Sequence, residues 1–157
     1  MLIDILICFC LVVLTVTLHA AGLSALLRGM MRWRALDRSG FRPVTVMVAC
    51  VICWLILIHL TEICAWGLFY FWRGFLPDAE SAFYFSGVSY TTVGYGDVVL
   101  VKPWRMLAPI EAMTGILMCG ASTGIFFAVL NRWISNWMQK KIHQDLNSGE
   151  GHRRARV

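Results

Sequence analysis

The sequence predicts an all-α membrane protein with three transmembrane helices and one short helix that re-enters the membrane. Its composition is the first indication: 59% of the 157 residues are hydrophobic and only 15% are charged, whereas a typical soluble domain has about a quarter charged residues. Three apolar runs long enough to cross a bilayer are the second indication, and a short aromatic segment between the last two runs is the third. With so few charged residues, the chain could not cover a hydrophobic core with a water-soluble surface.

The three apolar runs cover residues 2–27, 44–72 and 106–130, and each provides the roughly 20 residues that a helix needs to cross the hydrocarbon core. The first run could also be interpreted as a secretory signal, because LHAAG resembles a small-residue cleavage site. Its start, MLID, has no Lys or Arg, however, and contains Asp4. We therefore interpret segment 1–27 as a retained N-terminal transmembrane helix.

The basic residues predict the orientation of the chain. All 14 Lys and Arg residues lie outside the three runs, and most of them are in the linker 28–43 or after Leu130. The positive-inside rule places this linker and the basic tail 135–157 in the cytoplasm, and therefore the N-terminus outside. Anionic lipid headgroups would attract these charges. Nucleic acid would also suit the net charge of +5, but nothing else in the sequence indicates it. The last residues, SGEGHRRARV, are expected to be disordered.

The six cysteines lie in apolar runs, so a disulfide framework is not expected. Cys50 and Cys53 have the CxxC spacing of redox and zinc sites, but their setting, VACVICWLIL, favours small apolar side chains on a lipid-buried helix. The polar residues are scattered and form no nucleophile–base constellation, so we expect no enzyme activity and no cofactor. No run has arginine at every third position, so we expect no voltage sensor.

A short helix is predicted over residues 78–90, which are too few to cross the membrane. Asp78 is its expected N-cap, with Ser81 three residues later and Glu80 adding negative charge to the first turn. If this helix enters from outside, its C-terminal end points toward the membrane centre. The polar run TTVGYGD, residues 91–97, then returns outward. Irregular backbone at this depth is tolerated only beside protein or water, so this run is predicted to line a pore.

The residue types in this run suit ion coordination. Gly94 and Gly96 can adopt positive φ at little steric cost, which lets successive peptide planes alternate and direct their carbonyls at one axis. Thr92 adds a hydroxyl oxygen. Stacked rings of such oxygens, contributed by several copies around an axis, can replace the water shell of a monovalent cation.

TTVGYGD after a short aromatic helix closely resembles the potassium-channel signature. Its surroundings, HLTEICAWGLFYF, AFYFSGVSYTTVGYGD and WRMLAPIEAMTGILM, are similar to those of small prokaryotic pore-loop channels with an extra N-terminal helix. The resemblance covers residues 44–130. It implies a pore domain over 44–134 that conducts K⁺. Because each chain has a single filter strand and no internal repeat, the resemblance also implies a homotetramer.

The resemblance also implies roles for individual residues. The K⁺ ligands would be the Thr92 hydroxyl and the backbone carbonyls of Thr92, Val93, Gly94 and Tyr95. Thr91 would end the pore helix, and Gly96 would terminate the filter. Asp97 would lie at the outer mouth and accept a hydrogen bond from the pore helix. Simple pore-only channels often have a tryptophan as that donor, and here the matching position is Tyr84.

Two carboxylates lie inside the apolar runs. An intramembrane carboxylate is costly unless it is paired or protonated, which makes Glu62 and Glu111 candidate functional residues. Glu62 follows His59 by three residues on the same helical face, and Glu111 is about two turns into the third helix, at a depth that should lie behind the filter. Each carboxylate either braces the pore helix or is a protonated acid satisfied by one backbone group, and both interpretations stay open.

Other polar and small residues in the spans also have two interpretations. His19 and His59 are either hydrogen-bonded packing residues, which we favour, or pH sensors. Gly115 is a possible gating hinge, although simple packing is favoured, and Gly120 and Gly124 have the spacing of a close helix contact. For the whole protein, the alternative to a channel is a non-conducting membrane subunit or scaffold. An intact filter argues against it, because a silent subunit need not keep both glycines.

Overall fold

The computed structural model describes residues 2–36 and 44–154. Within these ranges the fold is all-α and contains no strand; its elements are α1 (Leu2–Leu36), α2 (Val44–Trp72), α3 (Ala79–Tyr90), a 3₁₀ turn (Trp104–Met106) and α4 (Leu107–Arg154). Three segments are long and apolar enough to cross a membrane: Leu6–Arg32, Thr45–Trp72 and Trp104–Gln139. The protein is therefore an all-α, multi-pass membrane protein.

Helix α2 has the bounds that the apolar run predicts, Val44–Trp72. Its C-terminal end is a Schellman motif, in which the N–H of Gly74 donates to the Phe71 carbonyl at 3.0 Å and the N–H of Phe75 donates to the Tyr70 carbonyl at 3.1 Å. Gly74 has a φ of 64°, in the left-handed region that this motif requires. The glycine after the apolar run thus gives α2 a defined end before the chain enters α3.

Helices α1 and α4 continue past the ends of the apolar runs at residues 27 and 130. Hydropathy marks where a membrane would end, but the next residues of α1, RGMMRWRAL, are rich in good helix formers and prolong the helix. The expected disorder of SGEGHRRARV is wrong for residues 148–154, whose backbone is helical. Extending an existing helix costs far less than nucleating a new one. Residues 37–43 and 155–157 lie outside the described residues.

The short helix α3 has the predicted N-cap. Asp78 is in extended conformation, and its carboxylate accepts a hydrogen bond from the backbone N–H of Ser81 at 2.7 Å. Helix α3 packs closely on α2 at Gly67, where an added Cβ would lie 2.5 Å from the Phe83 ring. This glycine is needed because no larger side chain fits between the two helices.

The first compact unit of the chain, residues 1–122, contains a core to which α1, α2, α3, the segment before α4 and the start of α4 contribute. Its buried members are Leu11, Trp66, Tyr70, Ala82, Phe85, Leu100 and Leu107. Helix α1 is attached to α2 by polar contacts as well: the indole N–H of Trp66 donates to Thr15 Oγ1 at 2.8 Å, and that of Trp54 donates to the Gly22 carbonyl at 2.9 Å. The second unit, residues 123–157, contains the C-terminal part of α4.

Candidate functional site

The loop of residues 91–97 begins at a defined helix end. Thr91 is the C-cap of α3, and both its backbone N–H and its hydroxyl donate to the Gly87 carbonyl, at 3.1 and 2.6 Å. Positive φ then recurs at every second residue: 62° at Thr92, 56° at Gly94 and 79° at Gly96. Both glycines thus have the positive φ that the sequence predicts for them.

Thr92 is the unexpected member of this series. Left-handed φ is rare for a β-branched residue, and it costs on the order of 1–3 kcal/mol unless the surroundings compensate. Such strained residues cluster at functional sites. The sequence gives no signal for this conformation, because a threonine at this position would ordinarily be assigned an extended or helical φ.

All seven residues of the loop are exposed in the single chain. The Tyr95 side chain is 73% exposed and that of Val93 is 51% exposed. The chain thus presents, on one strip, the four residues that the sequence proposes as ion ligands, Thr92, Val93, Gly94 and Tyr95. Both apolar side chains of this strip need cover that the described part of the chain does not supply.

The outer end of the loop is tied back to α3. The Tyr84 hydroxyl donates to Asp97 Oδ2 at 2.7 Å, which is the contact that the sequence predicts for this pair. The hydrogen bond lowers the pKa of the Asp97 carboxyl from its usual value and raises the pKa of the Tyr84 phenol. Behind the loop lies a cleft of about 210 Å³, whose lining includes Tyr84, Val88, Gly94 and Asp97.

Glu111 lies between three helices. Its side chain, on α4, is fully buried and accepts two hydrogen bonds: one from the Ser86 hydroxyl of α3 at 2.6 Å and one from the Tyr70 hydroxyl of α2 at 2.7 Å. Ser86 Oγ also lies 2.9 Å from the Ile63 carbonyl of α2, an alternative acceptor for its single hydroxyl hydrogen. The partners of Glu111 are thus two side-chain hydroxyls and not a backbone group.

Glu62 is the centre of a second buried network. Its Oε1 lies 2.9 Å from Nδ1 of His19, on α1, and its Oε2 lies 3.3 Å from Nδ1 of His59, one turn earlier on α2. Oε2 also accepts a hydrogen bond from the hydroxyl of Tyr90, the last residue of α3. The sequence predicts the proximity of His59 but not that of His19 or Tyr90. The only signal for His19 is its presence as a polar residue in an apolar run.

Gly115 allows α4 to approach the end of α3 closely. A Cβ at this position would lie 2.1 Å from the backbone oxygen of Tyr90, so this contact requires glycine. Gly120 and Gly124 have no heavy atom of the described chain within 4 Å of an added Cβ, and their predicted close helix contact is therefore not made within one chain. A hinge at Gly115 stays a prediction.

The sequence was compared with known protein families, and one segment of it matches. Residues 56–132 match a family model described as "Ion channel". The matched segment includes most of α2, all of α3, the loop 91–97 and the first part of α4. Comparison with curated proteins and with solved structures gave no match. Residues 56–132 of this membrane protein are therefore similar to an ion channel domain.

Proposed function

We propose that the protein is a potassium-selective channel that conducts K⁺ passively across the cell membrane through a tetrameric filter. The observation that carries this proposal is the alternation of positive φ at Thr92, Gly94 and Gly96 within the sequence TTVGYGD. Such a backbone can direct consecutive carbonyls at one axis, and rings of carbonyl oxygens replace the hydration shell of K⁺. No other part of the described chain combines exposed irregular backbone with this pattern.

In this proposal the ion ligands are the Thr92 hydroxyl and the carbonyls of Thr92, Val93, Gly94 and Tyr95. One chain supplies one strand of the filter, so four chains are needed to close each ring. The large exposure of Val93 and Tyr95 supports this arrangement, because neighbouring copies would cover both side chains. The assembled domain, residues 44–134, is therefore a homotetramer of pore modules.

The surrounding contacts suit a filter that must keep its shape. Thr91 and the Glu62 network hold the inner end of the loop through the last turn of α3. The Tyr84–Asp97 hydrogen bond holds its outer end. Glu111 ties the middle of α3 to α2 and α4. We assign these residues, with Gly96 as the filter terminus, to filter support.

Flux into liposomes tests the conduction step directly. Purified protein in liposomes with an outward K⁺ gradient is expected to accumulate radiolabelled Rb⁺, to be blocked by Ba²⁺, and to take up almost no radiolabelled Na⁺. The matched control is Gly94→Ala, because alanine is strained at a φ of 56°, and this variant is expected to lose the uptake. Equal uptake of Na⁺ and Rb⁺ by the wild-type protein would refute potassium selectivity.

Native mass spectrometry tests the assembly in the same preparation. The wild-type protein is expected as four chains, because a ring with fewer strands cannot surround the ion. A conducting monomer or dimer would refute the filter arrangement. Stable tetramers without Rb⁺ uptake would favour the alternative function, a non-conducting subunit or scaffold that associates with other channel subunits.

A further inference from the structure

His19, His59 and Glu62 form a cluster of metal-ligating side chains outside the loop 91–97. One donor atom from each residue lies within 4.8 Å of the others. Two of the side chains are almost or fully inaccessible, at 3% for His19 and 0% for Glu62. Ion conduction through the loop 91–97 requires neither the His19 imidazole nor the His59 imidazole. That both lie beside the buried Glu62 carboxylate therefore calls for a further explanation.

The spacing of the donor atoms is close to that of a tetrahedral metal site. Ligands bound to zinc at about 2.1 Å are separated from one another by about 3.4 Å in tetrahedral geometry. In the cluster, the Nδ1–Oε separations are 2.9 Å for His19 and 3.3 Å for His59. These two distances end on different oxygens of Glu62, and no pair of the three donor atoms is more than 4.8 Å apart, so side-chain adjustment would bring them around one ion.

The donor set selects the class of metal. Two imidazoles and one carboxylate are a set that zinc uses in proteins with an open fourth position, whereas Mg²⁺ and Ca²⁺ prefer oxygen ligands. The Tyr90 hydroxyl lies 2.9 Å from Nδ1 of His59 and also donates to Glu62 Oε2, so it adjoins two of the three donor residues. Ring nitrogen Nε2 of His19 lies 3.4 Å from the Ser122 hydroxyl, and an outer partner of this kind orients a ligating imidazole.

The cluster also has the helical arrangement of a built site. His59 and Glu62 are three residues apart on α2 and so project from one face. His19 comes from α1, the neighbouring helix. Metal sites in helical bundles are assembled in this way from side chains on facing helices. A divalent cation would also neutralise the carboxylate of Glu62, which is otherwise expensive in a membrane-spanning helix.

We propose that His19, His59 and Glu62 bind one divalent transition-metal ion of the zinc class. The ion links the N-terminal helix α1 to α2 at the point where Tyr90 ends α3. This proposal goes beyond ion conduction, because metal binding can be measured whether or not the loop selects K⁺.

Zinc binding is best measured in a background that lacks the two tail histidines, His143→Gln with His152→Gln, since only His19 and His59 then remain. Detergent-purified oligomer, equilibrated with zinc and desalted, is expected to retain about one zinc per chain, with nitrogen and oxygen neighbours at about 2.0–2.1 Å by X-ray absorption. Imidazole scattering identifies the histidines. A shell of sulfur at about 2.3 Å without imidazole would place the metal on cysteines and overturn the proposal.

Substitution of single ligands gives the second measurement. In the same background, His19→Gln and His59→Gln are each expected to weaken zinc binding at least tenfold, about the effect of losing even an outer-shell partner. The double tail variant alone should bind as the wild type does. Glutamine retains hydrogen-bonding groups, and elution as the wild-type oligomer checks folding. If either variant does not assemble, the absorption spectrum of the background protein decides alone. Unchanged affinity in both assembled variants would also overturn the proposal.

Discussion

The Glu111 carboxylate shows how a single acid can be stable inside an apolar protein. Its two oxygens each accept one hydrogen bond from a hydroxyl, at 2.6 Å from Ser86 and 2.7 Å from Tyr70. Removing an acceptor leaves a buried donor without its partner, which costs more than the hydrogen bond itself contributes. Because Ser86 is on α3 and Tyr70 is on α2, the loss of this carboxylate would loosen the contact between these helices.

Substitution of Glu111 tests this role. Glu111→Ala is expected to lower the stability of the proposed oligomer by about 1–3 kcal/mol, because it leaves the buried Tyr70 hydroxyl without its acceptor. Ser86 can still donate to the Ile63 carbonyl. Glu111→Gln keeps an acceptor and should lose much less. Thermal dissociation of the purified protein measures both effects on stability, and Rb⁺ flux reports the effect on the proposed filter. The matched control is Glu80→Ala, at an exposed carboxylate. Wild-type stability and flux in Glu111→Ala would show that the carboxylate does not brace α3.

The Tyr84–Asp97 hydrogen bond makes the outer end of the loop sensitive to acid. The bond lowers the pKa of the Asp97 carboxyl. It is therefore fully formed above the usual pKa of an aspartate, about 4, and is lost as the pH falls through the lowered pKa. Tyr84→Phe removes the donor, so we expect the pKa of Asp97 to rise toward its usual value.

Carbon-13 NMR of labelled aspartate carboxyls measures this shift in the wild type and in Tyr84→Phe. Rb⁺ flux as a function of external pH is the functional counterpart. Wild-type flux should fall as the pH drops through the lowered pKa of Asp97, whereas flux in Tyr84→Phe, which lacks the hydrogen bond at every pH, should not show that step. Identical Asp97 titration in the two proteins would contradict the assignment of the hydrogen bond as the main cause of the lowered pKa.

At the residue scale, the sequence predicts a side-chain contact best where the two contacting residues are close along the chain. Tyr84 and Asp97 are 13 residues apart, on a helix and the loop that directly follows it, so one motif predicts both positions. His19 and Glu62 are 43 residues apart. Their contact depends on which face of α1 packs on α2, and an almost wholly apolar helix gives no amphipathic pattern from which to read that face.

At the scale of elements, the crossing of α4 over the end of α3 depends on Gly115. An added Cβ would lie 2.1 Å from the Tyr90 carbonyl oxygen, which is a backbone atom and cannot rotate away. Gly115→Ala must therefore shift one helix against the other. Overpacking of this kind typically costs about 1–3 kcal/mol, and we expect a corresponding loss of stability of the proposed oligomer in thermal dissociation.

Gly29→Ala is the control for Gly115→Ala, since nothing lies within 4 Å of an added Cβ there. In that open position alanine is expected to be neutral or to stabilise α1 by up to about 1 kcal/mol. If Gly115 is instead a gating hinge, a different result is expected. Gly115→Ala should then change the opening of single channels in electrical recordings, while stability stays at the wild-type level.

The elements themselves were predictable to different degrees. The apolar run predicts both ends of α2. At its C-terminal end the run is followed directly by Arg73 and Gly74, where the helix stops. The same reasoning fails for the ends of α1 and α4. Their polar continuations form backbone hydrogen bonds as readily as the apolar parts do, so hydrophobicity gives the extent of the membrane span but not that of the helix.

At the scale of the whole molecule, the distribution of basic residues predicts the direction of insertion. A cysteine introduced at Ser39, in the linker outside the described residues, should resist a membrane-impermeant thiol reagent added to intact cells. One introduced at Ala79, at the start of α3, should react. The native cysteines lie in apolar runs, and the unsubstituted protein measures their background. Labelling at Ser39 with protection at Ala79 would reverse the proposed orientation.

The exposed loop has a consequence for how the protein is made in the cell. A newly inserted chain carries the polar backbone of residues 91–97 uncovered, and lipid offers no hydrogen-bond partners to such groups. In the proposed tetramer the loop is covered only as partner chains arrive, which makes its maturation dependent on the density of chains in the bilayer. When expression is sparse, solitary chains would persist with an immature loop and would be the natural substrates of membrane proteases.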